Sequence, residues 1–136
     1  MAESITVTNE DRQRLGTLLR SLQDQGGGFK SHLEFLGAEL ERSRAVESTE
    51  VSPDVVTMDS TVQLRDLATG EAETYTLVYP NDADISQNRI SILAPVATAI
   101  LGNRVGDIVT VSVPSGERSI RVERILFQPE HADELV

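Results

Sequence analysis

The hydrophobic period of this chain changes at Pro53, and that change limits the possible folds more than any other feature of the sequence. Before it, Leu15, Leu18, Leu19 and Leu22 recur at the spacing of one helix face. Phe29, Leu33, Leu36 and Leu40 then follow at alternating steps of four, three and four, the pattern of a coiled-coil seam facing the first helix. After Pro53 the apolar residues alternate: Val62 and Leu64 with Gln63 and Arg65, Tyr75, Leu77 and Tyr79 with Thr74, Thr76 and Val78, and Val109, Val111 and Val113 with their polar neighbours. A helical stripe and a pleated alternation cannot occupy the same backbone. The expected fold class is therefore α+β, a short antiparallel helical hairpin followed by a twisted antiparallel sheet.

Local signals place the joints. Thr8 or Asn9 can cap a helix that carries Glu10 and Asp11 in its first turn and runs to about Asp24. Gly26-Gly27-Gly28 ends it, since each glycine costs about 1 kcal/mol in a helix, and the triplet marks the hairpin tip. The polar run 47–54, holding Pro53, reads as a linker between a hairpin over 1–46 and a sheet domain over 55–136. Thr69-Gly70 and Pro114-Ser115-Gly116 read as turns, Ile90 and Ile92 as a short strand, Pro95 as the first residue of a two-turn helix and Gly102 as its end. Apolar parity switches from Ile120 and Val122 to Ile125 and Phe127, which calls for a bulge near Glu123-Arg124. Ser4-Ile5-Thr6-Val7 fits either a lead into the first helix or a segment packed on the sheet.

Charge and composition exclude several functions. Twelve Lys and Arg against 22 Asp and Glu give a net charge of -10 over 136 residues, a field that repels a phosphate backbone and suits a cationic protein surface or a metal-lined channel. No sequence-specific nucleic-acid binding is expected. Nor is membrane insertion, because no apolar run approaches the ~20 residues of a span and Met1-Ala2-Glu3-Ser4 does not resemble a signal peptide; a cytoplasmic location is the expectation. There is no cysteine. His32 and His131 lie in separate segments without a Ser and Asp set, and His32 is expected on a solvated helix face. No HExxH, EF-hand, P-loop or GxGxxG pattern occurs, so no catalytic residue, metal ligand or cofactor is assigned.

Four motifs occur in one fixed order: Val55-Val56-Thr57-Met58-Asp59-Ser60, Leu77-Val78-Tyr79-Pro80, Ile90-Ser91-Ile92-Leu93-Ala94-Pro95, and Leu101-Gly102-x-x-Val105-Gly106-Asp107. Together they resemble the Rnk family, regulators of nucleoside diphosphate kinase related to the Gre transcript-cleavage factors of bacterial RNA polymerase. The resemblance runs from about Val55 to Pro129; before Glu50 only the hairpin pattern and the total length agree. It implies an FKBP-like C-terminal domain and a non-enzymatic regulator that docks at the polymerase secondary channel and competes with GreA, GreB or DksA. Leu93-Ala94-Pro95 stands where Gre factors carry Asp-Ser-Pro, the loop that docks on the coiled-coil rim of the largest subunit; Leu93 and Ala94 remove a charge and a hydroxyl.

Gre hairpins also carry paired tip acids that help hold a catalytic magnesium. Here the tip offers Asp24 beside Gly26, Gly27 and Gly28, with Glu34 lying about one and a half turns down the second helix. Helices of about 15 residues reach only about 22 Å, so transcript cleavage is not expected. Two other readings stand beside this one: an FKBP-like prolyl isomerase, for which Phe127, Tyr75 and Tyr79 make a poor aromatic lining, and a protein-interaction module with another partner.

Overall fold

A computed structural model of the chain describes residues 4–24 and 31–135. The order is β1 (Thr6–Thr8), α1 (Asn9–Asp24), α2 (Ser31–Arg42), β2 (Arg44–Val46), β3 (Thr61–Asp66), β4 (Ala72–Val78), β5 (Arg89–Ser91), α3 (Pro95–Ile100), β6 (Ile108–Val113) and β7 (Gly116–Phe127), with 3₁₀ turns at Pro80–Asp82, Ile85–Gln87 and Pro129–Leu135. Thr8 starts α1: its Oγ1 accepts the Asp11 N–H at 3.0 Å, satisfying one of the donors that a helix start leaves open. Gly26, Gly27, Gly28 and Phe29 lie outside the described residues, so the tip assignment is not placed.

β1 and β2 form a parallel pair, Thr6 opposite Arg44 through Thr8 opposite Val46, which closes the base of the hairpin. Parallel strands need a long crossover, and here the hairpin is that crossover. The Arg44 N–H donates to the Ile5 carbonyl at 2.9 Å, and the Thr6 N–H donates to the Gly102 carbonyl at 3.3 Å. The N-terminal segment thus does both things the sequence allowed.

The main sheet has the order β5-β4-β3-β7-β6. β3 and β4 form the expected hairpin, and β6 and β7 pair from Ile108 opposite Arg121 to Val113 opposite Gly116 around Pro114-Ser115. Against β3, Arg124 faces Gln63 and Val122 faces Leu64, so Glu123 is the extra residue of the bulge that the parity switch required; a second shift leaves Leu126 unpaired. The expectation of an all-antiparallel sheet fails at β5, which runs parallel to β4. The excursion between them holds two 3₁₀ turns, the second capped by Asp84 and ended by Asn88 at φ 58°, and this detour returns the chain in the same direction.

Leu15, Leu19, Leu36 and Leu40 of the hairpin belong to the same buried cluster as Val56, Met58, Val62, Leu77, Ile92, Ala97 and Ile100. The leucine stripes therefore serve the sheet as well as each other, and α2 rests against α3. Segment 47–54 is fastened as well: Val51 is buried, buried Gln128 donates through Nε2 to the carbonyls of Ser52 at 2.9 Å and Val55 at 2.7 Å, and His131 Nε2 meets the Val51 carbonyl at 2.6 Å.

Candidate functional site

The loop at Leu93-Ala94-Pro95 is shaped by its own backbone. Ser91 Oγ accepts the Leu93 N–H at 3.0 Å, and the Ala94 N–H donates to the Ser91 carbonyl at 2.9 Å. Ala94 is the N-cap of α3 and Pro95 its first residue; Ala94 has no side-chain oxygen, so the cap makes no side-chain hydrogen bond. All three residues are half-buried, with Leu93 and Ala94 packed on the core.

His32 is not on a solvated face. Its Nε2 lies 2.8 Å from the Leu93 carbonyl, and since a carbonyl only accepts, Nε2 carries the proton. The hairpin is thereby pinned to the loop. Asp24 ends α1 as an exposed residue.

A second polar joint was missed from the sequence. Asp11 is 8% exposed, and its carboxylate accepts the Met58 N–H at 3.2 Å and the Tyr79 hydroxyl at 3.3 Å. Burial pushes its pKa up, the Met58 hydrogen bond opposes this, and nearby Glu130 adds to the rise. Burial likewise raises the Tyr79 phenol, with Asp11 adding to the rise and Arg14, stacked 4.0 Å from the ring centroid, opposing it. A carboxyl whose folded pKa lies above its unfolded value binds its proton more tightly in the native state, so its contribution to stability grows as pH falls through that window. Asp66, lowered by Arg118, and Glu123, lowered by Arg65 and Arg121, act in the opposite sense. Replacing Asp11→Asn should therefore widen the gap in melting temperature in favour of the parent as pH falls from neutrality to about 4; parallel melting curves over that range would exclude this role for Asp11.

The concave sheet face beside α3 leaves little room for a substrate. A cavity of about 40 Å³ lies among Leu64, Asp66, Tyr75, Val96, Arg118 and Ile120. Asp66 Oδ2 takes the Arg118 guanidinium at 2.5 Å, and Asp66 Oδ1 takes the Ala68 N–H at 2.8 Å, which holds the acid across the space. Ligand pockets usually enclose about 300 Å³ or more. A larger open groove of about 680 Å³ runs between α1 and α2, lined by leucines, small residues and charged residues, among them Arg12, Gly16, Leu33, Gly37 and Glu41. No group of three or more His, Cys, Asp or Glu suited to a metal occurs among the described residues. No helix among them is long and apolar enough to cross a membrane.

Residues 3–46 match the family model described as Rnk N-terminus, and residues 50–127 match the C-terminal model of the transcription elongation factors GreA/GreB. The chain is 36% identical over 130 residues to the regulator of nucleoside diphosphate kinase of Escherichia coli strain K12, covering 95% of this chain and 93% of that protein. This chain belongs to the Rnk family. Its GreA/GreB kinship is wider: it is 32% identical over 106 residues to GreA of Nitratidesulfovibrio vulgaris, spanning 78% of this chain and 66% of that factor. A solved structure described as a prokaryotic transcription elongation factor GreA/GreB from Nitrosomonas europaea superposes with a TM-score of 0.75 at 38% identity, over 90% of this chain and 99% of that one. The mixed fold of N-terminal helices and a curled C-terminal sheet is thus a GreA/GreB-like fold, and the relatives carry names of regulators or elongation factors rather than of catalysts. In this Rnk family member the first and last motifs contain turns: Thr57 and Ser60 bond each other around Asp59 at φ 66°, and Gly106 at φ 98° precedes Asp107, whose carboxylate takes the Arg104 N–H at 2.9 Å.

Proposed function

We propose that this Rnk family member is a cytoplasmic, non-enzymatic transcription regulator that binds bacterial RNA polymerase at the secondary channel, without stimulating transcript cleavage. One observation carries the reading: a C-terminal half of GreA/GreB type is joined to a hairpin that is short, anchored, and free of acids across its turn. α1 has 16 residues and α2 has 12, lengths of about 24 and 18 Å. Segment 25–30, Gln-Gly-Gly-Gly-Phe-Lys, carries no Asp or Glu, which leaves Asp24 as the nearest acid. A single carboxylate on a short hairpin is a poor donor set for a second magnesium ion, which prefers several oxygen ligands in octahedral order.

In this reading the FKBP-like part, residues 55–136, docks through Leu93, Ala94 and Pro95, the run 47–54 joins it to the hairpin, and the hairpin occupies the channel mouth against longer factors. The net charge of -10 favours a cationic partner surface and disfavours free nucleic acid. The small, ion-pair-plugged concavity beside α3 weighs against a prolyl isomerase. Purified protein should bind core polymerase directly, as read by fluorescence anisotropy of the labelled chain. No binding at micromolar concentrations would leave the chain an interaction module for another partner.

A further inference from the structure

The open groove between α1 and α2 has walls of opposite charge. Arg12 and Arg20 stand on the α1 side, Glu34 and Glu41 on the α2 side, and all four are exposed. The charges are matched in height. Arg12 Nε donates to the Leu40 carbonyl at 3.1 Å, which puts Arg12 level with Glu41; in an antiparallel pair Arg20, two turns further along α1, then stands level with Glu34, two turns back along α2. No salt bridge crosses the groove, and among the described residues none of the four belongs to one. Between the two charged levels lie Gly16 on α1 and Gly37 and Ala38 on α2. Packing within the chain does not require these glycines: a Cβ on Gly16 would meet nothing nearer than Arg20 Nη1 at 3.6 Å, and one on Gly37 nothing nearer than Leu19 Cδ1 at 3.9 Å, both ordinary contacts.

We propose that this groove is the interface of a homodimer, in which the hairpins of two copies pack face to face as an antiparallel four-helix bundle. The charge pattern selects both the occupant and the symmetry. A two-fold axis running along the helices sets α1 of one copy against α2 of the other at unchanged height. Arg12 then meets the second copy's Glu41, Arg20 meets the second copy's Glu34, and symmetry makes each pair twice. The level of Gly16 faces the second copy's Gly37 and Ala38, where small side chains let helix axes approach to about 8 Å. A two-fold axis across the helices does the reverse, setting Arg12 against Arg20 and Glu34 against Glu41. An unrelated helix would have to carry acids and bases at these same heights, which a second copy already does. The groove is also balanced, two Arg against two Glu, so the net charge of -10 resides elsewhere on the surface. This inference stands without the polymerase reading.

Sedimentation velocity of the purified chain up to about 200 µM should show reversible self-association. Arg20→Glu and Glu34→Arg should each weaken it by at least about tenfold, because each places like charges across the interface twice. An equimolar mixture of the two variants should associate at least as tightly as the parent, since each chain supplies the charge that the other lacks. Recovery on mixing cannot come from a folding defect or from a contact within one chain. Gly16→Leu projects into a groove that has room for it in the single chain, and should abolish association with no fall in melting temperature. A parent that stays monomeric across this range overturns the proposal. So does association that either charge reversal leaves unchanged, or that the mixture does not restore, because the copies then meet through another surface.

Discussion

Gly102→Ala should lower stability by about 3 kcal/mol, which for a domain of this size is a fall of about 10 °C in melting temperature. Gly102 has φ +76°, in the left-handed region that a residue with a Cβ enters only at a cost. A Cβ placed there would lie 2.6 Å from Ile5 Cβ and 3.0 Å from the Thr6 carbonyl oxygen. Neither neighbour can yield cheaply. Ile5 is buried, and Thr6 is bonded to the Gly102 carbonyl at the edge of a strand pair that closes the hairpin. Gly106→Ala provides the comparison: its φ is +98°, but nothing lies within 4 Å of the added atom, so only the backbone strain remains, about 1 kcal/mol. Equal losses at the two positions, measured by thermal unfolding, would mean that the contact with the N-terminal strand contributes nothing.

The second large effect falls on binding. Leu93→Arg places a charge at the centre of the proposed docking loop, and a desolvated charge without a partner should cost a few kcal/mol, roughly a hundredfold in polymerase affinity. Leu93 is half-buried and packs on the core, so some loss of stability will accompany the change, although a long arginine can carry its head group to water. Ala94→Ser separates the two effects. It supplies the oxygen that the α3 cap lacks and should raise stability by about 1 kcal/mol, while adding no charge to the loop. A Leu93→Arg protein that is folded and binds polymerase as tightly as the parent would remove the loop from the interface.

The sequence was most readable where one rule acted locally. Alternation placed β3, β4, β6 and β7, the parity switch placed the bulge at Glu123, and Pro95 and Gly102 bracketed α3. It was least readable where distant segments meet. β5 was expected as a strand, but its parallel pairing depends on how two 3₁₀ turns steer the chain, which alternation does not encode. The parallel β1–β2 pair depends on the hairpin returning to its own base, and three-residue strands carry almost no pattern.

His32 was expected on a solvated face and Asp11 only in the first turn of α1, and the inward contacts of both were missed for one shared reason. Asp11 precedes Leu15 and Leu19 at steps of four, and His32 precedes Leu36 and Leu40 at the same steps, so each sits at the head of an apolar stripe. A place in the first turn, where an acid complements the helix dipole, gave Asp11 a sufficient role, and a lone histidine gave no reason to look for a carbonyl. Their place on the stripe was the available signal that both face inward. Knowing what they face required the fold, because Met58, Tyr79 and Leu93 come from the sheet half.

On the proposed function, this family member occupies the polymerase channel without the chemistry of its longer relatives. Stalled elongation complexes test it directly: RNA shortening is followed with this protein alone, and then with a cleavage-competent Gre factor at fixed concentration and this protein titrated in. The protein alone should give no shortening above the intrinsic rate, an Asp24→Asn variant should be indistinguishable from the parent, and the Gre-stimulated reaction should fall in a dose-dependent way. Robust cleavage by this protein that disappears in Asp24→Asn would contradict it.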